Sequence, residues 1–303
     1  MDPDLIAHHD VFPAARAVAL GLTRADLRRL LRERRIVRLH RGWYATRQPR
    51  DAADLHRLRV EALLAEYDGR AVATDASALL RLGIATWRPD LKRVHLALTD
   101  PDLNRHRKAD LVVHPHRPVA PLLAPRPAAG TVHPAVAIAS AGLKDPRSFL
   151  VPADDALRRG LVTAAELDAA VDTLGRRHGA AGVRAVRDWC DARHESPGET
   201  LLAHLLRLAG HDLEPQFVVP GTGRWTRGGQ GYRADLRLRG TRVLVEFDGR
   251  VKYDDRQALW EEKLREDRIR SLGWVVVRVT MADLRDPAAV RARIDAALAF
   301  VAA

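Results

Sequence analysis

One short segment constrains the fold of this chain more than any other. Residues 232–249 read YRADLRLRGTRVLVEFDG, two runs of alternating polar and apolar residues on either side of Gly240-Thr241. Alternation with a period of two is typical of a strand with one buried face, and a glycine at the first loop position suits a two-residue type II′ turn. The segment therefore predicts an antiparallel β-hairpin.

The register of this hairpin places two acidic residues side by side. If Arg239 pairs with Arg242, the numbers of paired residues sum to 481, so Asp235 lies opposite Glu246 on the same face of the sheet. Like charges on opposed residues destabilise a strand pair. Mg²⁺ or Mn²⁺, hard cations that take carboxylate oxygens, would remove the repulsion, so Asp235 and Glu246 are predicted to be metal ligands. The alternative is neutralisation by an arginine, for which Arg237 is the candidate.

Two further acids have two interpretations each. Asp248 pairs with Arg233 in the same register, so it is either an ordinary ion-pair partner or a catalytic residue of the site. Glu199 belongs to the segment 196–199 (SPGE), which starts a predicted helix, and it lies on the apolar stripe that includes Leu202. It either points toward the sheet as a third metal ligand or only caps the helix and interacts with its dipole.

Lysine is rare in this chain, with five lysines against 45 arginines, yet Lys252 and Lys263 both follow the acidic pair closely. A lysine ammonium is a compact charge that can orient a water molecule or stabilise developing negative charge on a phosphate. We predict that Lys252 or Lys263 is catalytic. The alternative is two solvated lysines, with Lys263 in ion pairs on a helix surface.

The same residues carry a resemblance to a known family. The matching segments, in chain order, are SPGE at 196–199, YRADL at 232–236, VEFDGRVKY at 245–253, EEKLREDRIRSLGW at 261–274 and VVVRV at 275–279. Over about 85 residues this pattern resembles a very-short-patch-repair-like branch of the PD-(D/E)XK endonucleases.

The resemblance implies a restriction-endonuclease-like α/β domain, with a mixed sheet and helices on its faces, that cleaves DNA with Mg²⁺. By position, Asp235 and Glu246 match the motif acids and Glu199 matches the acid of the first helix. One departure matters: Asp248 stands where the commonest form of the motif has lysine. Lys252 or Lys263 must then take that role, and if neither does, the domain is a catalytically silent DNA binder.

The amino-terminal segment predicts a second functional unit. Residues 12–20 and 24–35 have helical patterns separated by Gly21-Leu22-Thr23, in which Gly21 ends one helix and Thr23 caps the next. Two strand-like runs, 36–39 and 43–46, then flank a short turn. This is the order of a winged helix, which can place its second helix in the major groove of DNA.

Arginine is concentrated in the same segment. Residues 1–50 hold 11 arginines and 5 acids, a net charge of +6 out of +11 for the whole chain. Such a cluster is typical of a phosphate-binding surface. The arginines predicted to bind DNA lie along the second helix and near the hairpin: Arg24, Arg28, Arg32, Arg35, Arg38 and Arg41. The segment also resembles the winged-helix domain of AbiEi-type antitoxins, which implies DNA binding, often at a promoter. A protein-contact role for the winged helix is the alternative.

The middle of the chain alternates helical and strand-like patterns and predicts an α+β connector, with short strands at 94–98 and 111–114 and helices near 152–174 and 182–193. Five histidines stand out: His95, His106, His114, His116 and His133. We interpret them as hydrogen-bonded or exposed side chains and not as metal ligands, because no helical i, i+4 pair and no carboxylate at ligand spacing accompanies them.

Length and composition set the wider frame. A chain of 303 residues is long enough for two or three domains, and we predict an α+β multidomain protein with a winged helix at 1–50, a connector at 51–194 and a nuclease-like domain at 195–303. No apolar run approaches about 18 residues and no basic and apolar leader opens the chain, so a cytoplasmic protein without membrane partners is expected. Its lone cysteine, Cys190, excludes an internal disulfide.

The leading hypothesis is a DNA-binding, Mg²⁺-dependent endonuclease of defence or repair. The alternative is an antitoxin-like transcriptional repressor whose nuclease fold is degenerate. The DNA substrate is left open, as is association into a homodimer or with a toxin or defence partner protein.

Overall fold

The computed structural model describes residues 3–124, 130–223, 231–249 and 256–302, with side chains from Leu264 onward in the last range. The chain divides into two compact units. The first takes in Met1–Ala153 and Leu161–Arg187, and the second takes in Asp154–Gly160 and Asp188–Ala303. Helices and sheets occur in both, which confirms the α+β class. The finer division at 50 and 194 stays a prediction.

The amino-terminal part of the first unit is a pair of short helices with a three-stranded antiparallel sheet of order β1-β3-β2. Thr23 caps the second helix, and its hydroxyl accepts from the backbone N–H of Asp26 at 3.1 Å, as predicted. Gly21 takes a positive φ of 94° after the first helix, a conformation that glycine adopts without steric cost. The elements are β1 (Val11–Pro13), α1 (Ala14–Ala19), α2 (Arg24–Arg32), β2 (Val37–His40) and β3 (Trp43–Ala45).

The rest of the first unit surrounds a four-stranded mixed sheet of order β4-β5-β7-β6, in which β5 and β7 are parallel. Its strands are β4 (Ala71–Ala73), β5 (Val94–Leu98), β6 (His106–Arg107) and β7 (Leu111–His114). Its helices are α3 (Ala52–Tyr67), α4 (Asp75–Arg81), α5 (Pro134–Ala141), α6 (Arg147–Arg158), α7 (Ala164–Asp172) and α8 (Ala180–Val186). Helix α6 crosses the division between the units.

The long helix predicted at 152–174 is wrong, because the segment forms two helices. Gly160 has a positive φ of 65° and ends the first, and Thr163 then caps α7 in a reciprocal pair of hydrogen bonds with Glu166. The helix predicted at 182–193 is also shorter than expected. A 3₁₀ turn, Arg187–Trp189, follows α8.

The second unit has the element order αβββαβα. Its four-stranded mixed sheet has the order β11-β10-β9-β8, with β10 and β11 parallel and the other pairs antiparallel. Side chains of α9 and α11 pack on one face of the sheet, and Ile269 of α10 packs against the buried Leu244 in a separate cluster. The elements are α9 (Pro197–Leu208), β8 (Leu213–Val218), β9 (Arg233–Leu238), β10 (Val243–Asp248), α10 (Arg256–Ser271), β11 (Val275–Thr280) and α11 (Pro287–Ala302).

The hairpin between β9 and β10 has the predicted register but a longer turn. Leu244 pairs with Arg237 and Val245 pairs with Leu236, so paired numbers sum to 481 as expected. The strands end at Leu238 and begin again at Val243, and the turn closes through the backbone N–H of Thr241, which donates to the Leu238 carbonyl at 3.1 Å. The two-residue turn was therefore wrong, although the register it fixed was correct.

No helix among the described residues is long and apolar enough to span a membrane.

Candidate functional sites

The hairpin register brings Asp235 and Glu246 to facing positions of β9 and β10. Continuing the two observed pairs by one residue places Asp235 directly across from Glu246, on the same face of the sheet. The Asp235 carboxylate also accepts a hydrogen bond from the backbone N–H of Phe247, at 2.8 Å to Oδ2. The two acids therefore occupy the positions expected from the sequence.

Asp235 lies in a setting that disfavours its charged form. Burial raises the pKa of Asp235 to about 6, and the neighbouring negative charges of Glu199 and Glu195 add to the effect. The hydrogen bond from Phe247 and the positive charge of Arg233 oppose it only in part. A bound cation would stabilise the charged form of such a carboxylate. A raised pKa also suits a general base that works near neutral pH.

Glu199 reaches the same neighbourhood from the start of α9. The Ser196 hydroxyl caps this helix and accepts from the backbone N–H of Glu199 at 3.2 Å. Glu199 is 7% exposed, so it points inward as predicted. Its Oε2 accepts from the backbone N–H of Glu195 at 2.9 Å and from the Gln216 side-chain amide at 3.0 Å. The carboxylate thus serves partly as a helix cap, and Oε1 has no hydrogen-bond partner among the described residues.

Gln216, which donates a hydrogen bond to Glu199, has a strained backbone conformation. It lies within β8 at a position that the β8–β9 register sets across from Asp235, and its φ is +54°. A residue other than glycine in the left-handed region costs of order 1–3 kcal/mol, and such residues cluster at functional sites. The side-chain amide of this residue donates to Glu199 at 3.0 Å.

Glu246 has an arginine neighbour that was not anticipated. Arg237, the expected candidate, lies 3.1 Å from Glu214 and stacks over the rings of Phe217 and Trp274. Glu246 instead lies 3.7 Å from Arg278, its partner in the parallel pair of β10 and β11. Arg278 belongs to β11, the strand that flanks β10 on the opposite edge from β9.

The predicted site residues are only partly brought together. Within the described ranges, the carboxylates of Glu199, Asp235 and Glu246 are not all within 4.8 Å of one another, the spacing of a shared metal site. Arg233 forms an ion pair with Glu195 at 2.8 Å, and not with Asp248, the partner considered from the sequence. Lys252 and the side chain of Lys263 lie outside the described residues.

The arginines of the amino-terminal unit form an exposed surface on α2 and the following hairpin. Arg24, Arg28 and Arg32 are exposed, as are Arg35, Arg38 and Arg41. In the part of the chain that the structure describes, no acidic group lies within 4 Å of Arg24, Arg28 or Arg32. The buried Leu27 and Leu30 hold the opposite face of α2 in the core.

One group of described residues has the spacing of metal ligands: Asp75, His95 and His114. Asp75 begins α4, His95 is the second residue of β5, and His114 ends β7. His95 Nδ1 lies 3.1 Å from Asp75 Oδ2 and 3.1 Å from His114 Nε2, and the third edge, from His114 Nε2 to Asp75 Oδ2, is 3.5 Å. The interpretation of these two histidines from the sequence was wrong in one respect, since a carboxylate does accompany them.

Electrostatics at this triad follow from burial and mutual contact. Burial alone would raise the pKa of Asp75, but the hydrogen bond from His95 and the nearby charges of His114, His95 and Lys144 outweigh it and lower the pKa. Burial lowers the pKa of His114, and the charge of Asp75 opposes this only in part.

Of the remaining histidines, His133 and His106 have hydrogen-bond partners among the described residues. His133 is buried, accepts from the backbone N–H of Ala135 and lies 3.3 Å from Glu166. His106 is exposed and pairs with the Tyr67 hydroxyl at 2.9 Å. The triad could not be found by spacing rules because its members lie on three separate elements. Its only signal in the sequence was that two histidines lie in adjacent predicted strands.

Comparisons with known proteins give similarity along nearly the whole chain. No protein-family model matches it. Two relatives from Mycobacterium tuberculosis, Uncharacterized protein MT2308 of strain CDC 1551 / Oshkosh and Uncharacterized protein Rv2248 of strain ATCC 25618 / H37Rv, are each 28% identical over 277 residues, covering 90% of this chain and 96% of the relative. The crystal structure of RV2827C protein from Mycobacterium tuberculosis is 20% identical, with a TM-score of 0.35 over 64% of this chain and 75% of that one.

Proposed function

We propose that this chain is a DNA-binding protein whose second unit hydrolyses phosphodiester bonds with Mg²⁺ or Mn²⁺. The observation that carries the proposal is the β9–β10 register, which, continued by one residue, sets Asp235 across from Glu246, with the buried Glu199 close enough to raise the pKa of Asp235. Carboxylate oxygens are the ligands that hard divalent cations prefer, and the three carboxylates would have to move closer together to share one ion, since they are not all within 4.8 Å of one another.

Each residue of the site would have a separate role in the proposed reaction. Asp235 and Glu246 would hold the cation, with Glu199 as a third ligand through Oε1. A bound cation would lower the pKa of a water molecule and polarise the scissile phosphate. Asp248 and a lysine, Lys252 or Lys263, would orient that water and stabilise the charge that develops on the phosphate. Gln216 fixes Glu199 through its hydrogen bond to Oε2.

DNA would be recruited by the amino-terminal winged helix. Arginines that lack acidic neighbours among the described residues remain available to phosphates, and α2 presents Arg24, Arg28 and Arg32 on its exposed face. Contacts of this kind give affinity and register on the duplex. The function would take place in the cytoplasm.

A second candidate function is an AbiEi-like antitoxin or transcriptional repressor with a degenerate nuclease fold. Two observations favour it: Arg278 lies 3.7 Å from Glu246, and Asp248 stands where the motif usually has lysine. An arginine that neutralises a motif acid lowers its affinity for a cation. In this alternative the chain would bind DNA, alone or with a toxin partner, and would not cleave it.

Plasmid cleavage separates the two candidates. The purified chain is incubated with supercoiled and linear DNA in Mg²⁺ or Mn²⁺, beside Glu246→Ala, Asp235→Asn and the matched control Glu214→Ala. Glu214 is an acid of the same sheet that already pairs with Arg237. Cleavage by the chain and by Glu214→Ala, and its loss in the two site variants, supports the nuclease.

A wild-type chain that binds DNA but cleaves none of these substrates in either metal contradicts the nuclease and supports the repressor. Cleavage that survives in Glu246→Ala contradicts the assignment of the site.

A further inference from the structure

We infer that Asp75, His95 and His114 form a second, separate metal site in the first unit, one that holds a divalent transition-metal ion of the Zn²⁺ type and binds a small anion at its open coordination position. This site is independent of the proposed nuclease site, which lies in the other unit.

The distances among the three ligand atoms match a metal site. The triangle of Asp75 Oδ2, His95 Nδ1 and His114 Nε2 has edges of 3.1, 3.1 and 3.5 Å. Ligand atoms at about 2.0–2.1 Å from a tetrahedral Zn²⁺ are roughly 3.3–3.4 Å apart. The three atoms therefore form one face of a tetrahedron around a cation of that size, and two imidazoles with one carboxylate are a ligand set that Zn²⁺ and Fe²⁺ accept.

Hydrogen bonding alone satisfies the triad poorly. His95 Nδ1 is equally distant from two partners, and a single N–H cannot point at both. The ring is 6% exposed, and its other nitrogen, Nε2, is buried without a hydrogen-bond partner among the described residues. A cation at the centre would use all three lone pairs at once.

A carboxylate lies near the buried nitrogen of His95, beyond hydrogen-bond distance. If Nδ1 binds a metal, the ring proton must lie on Nε2, and Asp90 Oδ2 lies 3.8 Å from that atom. A carboxylate beside the far nitrogen is the usual second partner of a metal-ligating histidine. The Ser77 hydroxyl, which accepts from the backbone N–H of His95 at 2.9 Å, fixes the strand from the other side.

Two of the three ligands face a cavity of about 600 Å³. Asp75 and His114 line it together with Arg117 and Arg177. Two positive charges thus line one cavity: burial and the charge of Arg117 lower the pKa of Arg177, and the negative charge of Asp75 opposes this only in part. An anion would relieve the repulsion between the two arginines and could also reach the fourth metal position. Three protein ligands with one open position are typical of catalytic metal sites.

Metal binding by the purified chain of 303 residues tests the first part of the proposal, the metal site. The metal-free chain is titrated with Zn²⁺ against a chromogenic chelator, and with Co²⁺, Fe²⁺ and Mn²⁺ for comparison. All titrations use the Glu246→Ala background, so that the second unit contributes as little as possible. We expect one equivalent of Zn²⁺ or Co²⁺ to bind, and Co²⁺ to give the intense visible absorption of a four-coordinate site.

Variants decide which residues bind the ion. Asp90→Asn should weaken binding roughly 10- to 100-fold, as loss of an outer carboxylate does. Asp75→Asn and His114→Gln should weaken it further, whereas His116→Gln, in the same cavity but outside the triad, should not. His114 is 36% exposed, so its variant should fold, which circular dichroism checks. No bound metal, or binding that Asp75→Asn and His114→Gln leave unchanged, overturns the site.

Anion binding is tested on the Co²⁺ form. Phenyl phosphate and benzoate are added separately, to distinguish a phosphate from a carboxylate as the preferred group. We expect one of them to change the Co²⁺ spectrum saturably, and Arg177→Gln to weaken that effect without changing the metal affinity. A spectrum that neither compound alters overturns the open position.

Discussion

Among single residues, Asp235 has the clearest electrostatic signature in the second unit. Its pKa of about 6 results from burial first and from the charges of Glu199 and Glu195 second. A carboxylate in this position is costly when ionised, and the cost has a measurable dependence on pH.

Asp235→Asn should stabilise the chain at neutral pH. The pKa of Asp235 is raised on folding from 3.8 to about 6, so the folded state binds the proton more tightly than the unfolded state. The free energy of unfolding should therefore fall as pH rises from about 4 through about 6, and Asn removes this loss. At pH 8 we expect the variant to be more stable by about 1–2 kcal/mol, since a tenfold change in proton affinity corresponds to about 1.4 kcal/mol and partial exposure of the carboxylate reduces the effect.

Urea unfolding at pH 4 and pH 8 measures the effect. The matched control is Asp212→Asn, an exposed acid of the same unit that pairs with Arg239. A variant that is no more stable than the wild type at pH 8, or equally stabilised at both pH values, would contradict the burial of a charged Asp235.

At the scale of elements, the close packing of α9 on β10 positions Glu199. Gly198 lies so near the Phe247 ring that a Cβ atom there would be 2.0 Å from a ring carbon. Glycine is therefore required for the helix to start at this depth, and Glu199 follows it directly.

Gly198→Ala should push the start of α9 away from the sheet. Overpacking of this kind costs about 1–3 kcal/mol, and displacement of Glu199 should also lower any metal-dependent cleavage. Phe247→Leu makes room, so the double variant should recover part of the loss in both measurements. Additive losses in the double-mutant cycle would contradict a direct contact.

The proposed DNA binding is tested on helix α2. Arg28→Ala and Arg32→Ala should each weaken binding across DNA sequences and reduce the slope of log affinity against log salt by about 1. Arg29→Ala is the matched control on the same helix, because Arg29 is engaged by Asp26 at 3.0 Å. Fluorescence anisotropy over a salt series measures this, and equal effects of all three variants would exclude a specific arginine face.

Several features of these elements could be predicted from short-range patterns in the sequence. The Thr23 cap, the β5 strand and the β9–β10 register depend on residues a few positions apart, so the sequence contains their causes. The break between α6 and α7 was missed because an isolated glycine such as Gly160 occurs inside helical patterns as well as at helix ends. Contacts between distant segments, such as Arg278 with Glu246 or Asp75 with the two histidines, leave no periodic trace. The metal spacing of that triad was therefore not predictable.

At the scale of the whole molecule, a buried polar network around Asp154 joins distant segments of the chain within the second unit. Asp154 accepts from the backbone N–H of Asp191 at 2.7 Å and from the Thr200 hydroxyl at 2.8 Å, and its carboxylate lies 2.6 Å from His194 Nδ1. These partners fix the segment that leads into α9. Residues far apart in the chain thus determine where the proposed site begins.

Asp154→Ala should destabilise the chain by about 2–4 kcal/mol, because the buried His194 and Thr200 side chains and the backbone N–H of Asp191 lose their acceptor. The adjacent Asp155→Ala should cost no more than about 1 kcal/mol, since Asp155 pairs with Arg158 and Arg159 near the surface. Calorimetry of both variants makes the comparison. Similar losses in the two would show that the network contributes little.

The assignment of Asp154–Gly160 to the second unit has a consequence for biosynthesis and for engineering. These residues leave the ribosome before Leu161–Arg187, which belong to the other unit, so they must wait for the rest of their own core to be translated. To graft the second unit onto another protein, one would have to include these seven residues and join them to Asp188 with a new linker. A cut at the obvious place, just before α9, would leave them behind.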